Sequence, residues 1–410
     1  MKVVTTSPFY SNLTLRTGLD PKSAAYMQTL AALPEQTTEF FIPNQDEHLR
    51  AKKYETIDED DYDLRLFVFS PKTAKDAPKI DFHIYANGIS IVTVTFDVKS
   101  PLSAEPLAQH CQDLTRSVFE KHSGQLETIL QKIREKLPTA LLDKQKVYPS
   151  MSQTNICWIS RAVILDKASL KNKDMQSFIT EWLENTARPE DAEALITGNI
   201  NFSMTWLNYL IIEPTEVQRR TLFSALRTSQ FFYAAQEYLN DNAYRALTNS
   251  ALEKNVRIVE RRLTTARRDM QMLHIMYDTK KTFMTRKKRQ LVNDLMEIWD
   301  FDILKANGER MVAASNTKIA EITNKRSERS SFFTDLILVG LALVTVIEVS
   351  MYLTEYSREV MSRPTLAYQD DETSWILTAI AAIDTDQMLI GGAFVILILV
   401  CFYVYWKIRR

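Results

Sequence analysis

Glycine is almost missing from this chain, with eight residues in 410 where an ordinary protein has about 7%. So few glycines favour helix and leave little room for loops that cradle phosphate. No HExxH, P-loop, GxGxxG or GxSxG occurs, which removes the common catalytic motifs. The five histidines (His48, His83, His110, His122 and His274) are scattered without the short spacings of a metal site. His110 and Cys111 are adjacent, so on a helix they point ~100° apart and form no nucleophile–base pair. We therefore read the chain as non-enzymatic and free of a resident cofactor. Cysteine is also scarce: Cys111, Cys157 and Cys401, with no CxxC, build no disulfide framework and fit a reducing compartment. The opening Met1-Lys2-Val3-Val4-Thr5-Thr6 lacks the apolar core of a secretory signal.

Long apolar runs, by contrast, are present, and both lie in the last eighty or so residues. Phe332–Leu353 is one and Met388–Trp406, nineteen residues without a charge, is the other. Each is long enough to cross a hydrocarbon core of ~30 Å as a helix. Lys318, Lys325, Arg326 and Arg329 precede the first run, and Lys407, Arg409 and Arg410 follow the second. The segment 354–387 between them holds two basic and seven acidic residues. Positive flanks stay inside, so the sequence predicts a two-span protein of the cell inner membrane with both termini cytoplasmic.

Within the first run, Thr345, Glu348, Tyr352 and Glu355 fall on one helical face. A charge at that depth usually meets a partner or a water-filled path, so this face is a candidate pore or interface, with snorkelling of Glu348 as the bland alternative. Asp335 points ~140° away from Glu348 and is read as a boundary residue. Gly391 and Gly392, with Ala393 and Gly340, permit close helix approach in lipid and favour a homo-oligomer. Trp375–Ile383 is too short to span, and either lies on the outer surface or prolongs the second helix.

The preceding 330 residues read as α+β and then helical. Residues 1–60 look irregular with short helices, broken by Pro8, Pro21, Pro34 and Pro43. Strands are predicted over 64–69, 80–85 and 89–98, the last two joined by a type I′ turn at Asn87-Gly88. Pro106 opens a helix to about Leu137. Further strands are expected over 155–165 and 202–212, with a helix from Asp174 to about Ala187. A helix follows from the cap Thr215 to about Leu239. From Leu252 to Ile298 a seam at spacings of four and three predicts one continuous, coiled-coil-like helix, ended near Trp299–Asp302 and Gly308. A last helix runs from about Glu309 into the first span. The domain reading is 1–212 α+β and cytosolic, 213–330 helical stalk, and 331–410 transmembrane hairpin.

The predicted long helix is strongly basic. Between 253 and 293 twelve basic residues face four acidic ones: Lys254, Arg257, Arg261, Arg262, Arg267, Arg268, Lys280, Lys281, Arg286, Lys287, Lys288 and Arg289. They read either as a solvated face, neutralised by the acidic run Asp58–Asp63, or as a site for an anionic ligand. Nucleic acid is disfavoured, because Tyr277 and Phe283 are isolated and offer no stacking ladder.

This layout resembles the CorA-type metal-ion transporter superfamily. The features that carry the likeness are a sheet domain, a long stalk helix (252–298 and 309–330), two C-terminal spans, and the basic tail Lys407-Ile408-Arg409-Arg410. The resemblance implies a pentamer with stalk helices lining a funnel and a divalent cation such as Mg²⁺ as cargo. The Gly-Met-Asn triplet that filters magnesium in that family is replaced by Met351-Tyr352-Leu353-Thr354. Divergent relatives act as membrane effectors of bacterial immunity triggered by nucleotide messengers. Three readings stay open at this point: a ligand-triggered channel, a constitutive divalent-cation transporter with an altered filter, and a non-conducting membrane-anchored scaffold.

Overall fold

A computed structural model describes residues 1–14, 65–74, 77–85, 87–98, 103–136, 152–253, 255–362 and 375–384, and, further on, 386–387, 390–394, 397–398 and 401. The chain divides into two compact units, Met1–Ile319 and Ala320–Arg410.

The first unit is built on a seven-stranded mixed sheet of order β2-β3-β4-β1-β5-β7-β6. Its central strand is β1 (Lys2–Thr14), in a stretch the sequence had marked as irregular because of Pro8. The strand tolerates that proline for a geometric reason. A residue's N and O point to the same strand edge, and Pro8 O accepts the Cys157 N–H at 2.8 Å. That edge faces β5 (Ser160–Leu165), whose regular pairing has already ended at Thr6↔Ser160. The missing donor therefore costs no ladder bond. On its other edge β1 pairs antiparallel with β4 (Asn87–Asp97) along almost its whole length.

The predicted strands β2 (Arg65–Phe69) and β3 (Lys79–Tyr85) form, and β3 and β4 pair as a hairpin, with His83 opposite Ile91. Gly88 takes φ 85° at its turn, and Asn87 Oδ1 accepts the Ile89 N–H at 3.1 Å. Ala86 lies outside the described residues. The expected strand over 155–165 starts only at Ser160, because residues 153–155 form a 3₁₀ turn. The expected strand over 202–212 is two strands, β6 (Phe202–Met204) and β7 (Asn208–Ile212), paired antiparallel, and β7 runs parallel to β5.

Side chains alternate across the sheet and feed two cores. On one face Val3, Val92, Val163 and Leu210 pack with helices α1 (Ala104–Lys136), α2 (Lys173–Glu184) and the short α3 (Asp191–Ile196). On the other, Val4, Ile91, Ala162 and Ile211 pack with α4 (Glu216–Leu252), α5 (Val256–Phe283) and α6 (Arg286–Ile298). Thr215 caps α4 in a reciprocal box with Gln218, at 3.3 and 3.1 Å, which satisfies two orphan donors. The helix extends to Leu252, past the expected end near Leu239.

The predicted continuous helix 252–298 is broken. Leu252 ends α4, and Met284-Thr285 separate α5 from α6 in extended conformation. Thr285 caps α6 by accepting the Lys288 N–H, and Arg289 Nη2 donates to Thr282 O in the last turn of α5 (3.2 Å) and to Met284 O just past it (3.0 Å). The seam Val259, Leu263, Ala266, Met270, Leu273, Tyr277 is buried as its period predicts, but inside this chain. After the break the phase shifts, so Lys288, Leu291, Val292, Leu295 and Met296 are buried and Lys287 is exposed. Asp300, at φ 53°, ends α6 in the left-handed region, which aspartate tolerates.

Helix α7 (Phe301–Ser362) then starts eight residues before the predicted Glu309 and runs through Gly308 without a break. Beyond residue 332 it is the one helix among the described residues that is long and apolar enough to cross a membrane, and none of its apolar window is buried. The second predicted span, 388–406, lies largely outside the described residues. A short helix α8 (Trp375–Ala382) lies between.

Candidate functional site

The twelve basic residues do not form one surface. At 100° per residue, Arg257, Arg261 and Arg268 lie on a stripe opposite the buried seam of α5, and all three are exposed, as is Arg262 on its flank. Arg267 Nη1 donates to Asn316 Oδ1 at 3.0 Å, and Arg268 bonds Asp269 through Nε and Nη2 at 3.3 and 3.1 Å. The Lys281 ammonium sits 5.6 Å from the centre of the Tyr277 ring. Lys280 is buried. Lys288 is 1% exposed and donates to Ser224 Oγ on α4 at 2.6 Å. Arg286 and Lys287 are exposed on the first turn of α6, while Arg289 closes the α5–α6 break. Arg257, Arg261 and Arg262 are thus exposed near the α4–α5 turn, with Arg262 about 100° or more around the helix from the other two, while Lys288 and Arg289 have structural partners. Lys254 and the acidic run Asp58–Asp63 lie outside the described residues.

Sequence reasoning missed a polar knot where α4, α5 and α7 cross. Gln236, fully buried, connects three elements: His274 Nε2 lies 2.9 Å from Gln236 Oε1, Gln236 Nε2 donates to Asn240 Oδ1 at 2.9 Å, and Asn240 Nδ2 donates to Leu304 O at 2.9 Å. An amide oxygen can only accept, so His274 carries its proton on Nε2. Burial pushes the His274 pKa down, with the Lys305 charge adding to it. Gly308 on α7 lies against this knot. A Cβ there would come within 2.5 Å of Gln236 Nε2, 2.7 Å of Asn240 Oδ1 and 3.0 Å of Met270 Sδ. A lone glycine inside a helical pattern was the available signal. It marks close packing here, where a helix end had been expected.

A cavity of about 160 Å³ opens between α1 and the segment preceding β5, with Gln112, Arg116, Cys157 and Leu207 in its lining. Burial pushes the Cys157 and Cys111 thiols up to about 12, which favours the protonated thiol over the reactive thiolate at neutral pH. Arg161, 7% exposed, and Asn208 pair in register across β5 and β7, and Arg161 Nε and Asn208 Oδ1 are both buried without a partner. Among the described residues no group of three or more His, Cys, Asp or Glu could hold a metal ion.

In the second unit Thr345, Glu348, Tyr352 and Glu355 are all exposed on α7, and the Thr345 hydroxyl donates to Leu341 O at 3.0 Å. Thr354 and Ser357 are buried, and Arg358 Nη2 donates to Ile383 O just beyond α8 at 3.0 Å. Among the described residues, a Cβ added at Gly391 or Gly392 would meet nothing within 4 Å. Compared with known proteins, the chain matches no family model, no curated protein and no solved structure.

Proposed function

We propose that this chain is the subunit of an oligomeric membrane channel, gated by its sheet-and-helix unit in response to an anionic ligand. The observation that carries this reading is the uncovered apolar stretch of α7. Eleven large apolar side chains between Phe333 and Leu353 are exposed. Leaving them in water forgoes on the order of 15 kcal/mol of burial, which a bilayer recovers. The second run, 388–406, and the charge bias of its flanks support a two-span hairpin. Glu348, exposed among these apolar side chains, favours a conducting role over a passive anchor. The order of parts, with a sheet unit, a long helix that turns apolar and a second run, supports the CorA-like layout. The replaced filter triplet argues against simple magnesium uptake.

Gating by a ligand requires different affinities for closed and open states. The test is cation flux from liposomes holding the full chain, with Mg²⁺ and K⁺ read separately, alone and with a panel of nucleotides. Flux that appears only with a nucleotide, and that Glu348→Ala alters, is the expected result. Constitutive Mg²⁺ flux would select the transporter reading. Inserted protein that passes neither ion under any condition would leave a scaffold.

A further inference from the structure

We infer that the turn joining α4 to α5 is a membrane-docking tip that fits an anionic lipid surface. The two helices form an antiparallel hairpin: the Phe232 and Tyr277 rings are 4.9 Å apart, and Gln236 reaches both Met270 and His274. The hairpin reverses between the end of α4 at Leu252 and the start of α5 at Val256. Its backbone is well capped there, since Asn255 Oδ1 accepts the Arg257 N–H at 3.2 Å and Glu253 Oε1 accepts the Asn255 N–H at 3.1 Å. The tip is therefore built, and its exposed side chains do not come from a frayed end.

Those side chains are of the wrong kind for water. Leu252 is 79% exposed, Tyr244 60%, Val256 50% and Ile258 40%, whereas deeper in the hairpin the seam residues of α5 are covered. Around them Arg257, Arg261 and Arg262 are exposed, while Arg245 is held by Asp241 at 2.8 Å. Arg257 and Arg262 form no ion pair among the described residues. Glu253 is already taken up by the Asn255 N–H. Exposed apolar side chains flanked by Arg257 and Arg262 match the level where acyl chains meet anionic headgroups: the apolar groups enter, and the guanidinium groups bind phosphate. A protein partner offers no such match without an acidic rim of its own. The inference rests on the membrane reading of α7 in that it needs the chain to meet a bilayer, but it uses different residues.

The experiment compares amide hydrogen exchange of the full chain in nanodiscs of phosphatidylcholine alone and of phosphatidylcholine mixed with phosphatidylglycerol. Amides of 244–262 should exchange about tenfold more slowly with the anionic lipid. The double variant Arg257→Glu/Arg262→Glu should cancel that difference while the amides of β1 and β5 stay unchanged. Equal exchange of the tip in both lipids overturns the proposal. So does protection that is the same in both lipids and grows with protein concentration, since a second copy of the chain would then be the cover. A chain that fails to enter nanodiscs refutes the membrane reading of α7 instead. In that case the tip is read by co-sedimentation with anionic vesicles, which Leu252→Asp must reduce if the tip docks.

Discussion

Helix α5 and the far part of α7 are both rich in apolar residues, yet the molecule treats them in opposite ways. On α5 they recur every three or four positions and are covered by α4 and its neighbours. On α7 beyond Phe332 they follow one another without a period, and the window is uncovered. A period records a partner on one side only. Its loss leaves no single face to be packed, which is the pattern the proposed membrane span requires.

The sharpest way to break that comparison is to place one carboxylate in each helix. Leu263→Asp puts an unpaired charge into a covered seam and should cost about 4 kcal/mol, read as the unfolding of the first unit by tryptophan fluorescence. Val344→Asp should leave that transition in place and instead reduce recovery in the membrane fraction. If both variants lowered the same transition equally, the two helices would not differ in surroundings.

Gly308 gives the next largest effect. Gly308→Leu forces a side chain into Gln236, Asn240 and Met270 and should cost about 3 kcal/mol in a denaturant titration, whereas Gly340→Leu, with nothing within 4 Å, should leave the first unit unaffected.

His274 sharpens the picture by pH. Its folded pKa is depressed below 6.5, so the folded form binds fewer protons than the unfolded one. The stability it contributes is present above about pH 6.5 and is lost as pH falls through the lower folded value. His274→Gln should flatten that part of the stability–pH curve, and an unchanged slope would remove His274 from the account. Arg267→Ala deletes only an exposed bond to Asn316 and should shift stability by less than about 0.5 kcal/mol.

Much of this was legible because local signals act locally. The Thr215 cap, the β3–β4 hairpin and the helix near Pro106 are each signalled within a few residues and form, although Asn87 lacks the positive φ of the expected type I′ turn and α1 starts two residues before Pro106. The seam of α5 was legible as a period, but the identity of its partner was not. A heptad-like pattern fits a second copy of the chain and fits α4 equally well, and only tertiary structure separates the two. The break at Met284-Thr285 was hidden because both sides of it are basic and helix-favouring. The only local mark was a threonine cap, and Arg289 completes the closure from the next turn, reaching back five residues to Met284 O and seven to Thr282 O. β1 was misread because a proline argues against a central strand unless one knows that β5 has already ended beside it. The basic residues looked like one site because sequence counts charges and does not see direction. Lys288 points into the core, Arg289 closes a helix end, and Arg257 and Arg262 face outward.

The position of β1 sets the order in which the molecule can be completed. The middle strand is synthesised before both strands it pairs with, which exist only once the ribosome has passed Asp97 and Leu165. Until then it is a sticky ribbon with both edges open, and its closure waits on pairings of long sequence separation, which form slowly. A nascent chain of this kind is a natural client for a chaperone that binds extended segments, and slow, aggregation-limited refolding from denaturant should follow from the same cause.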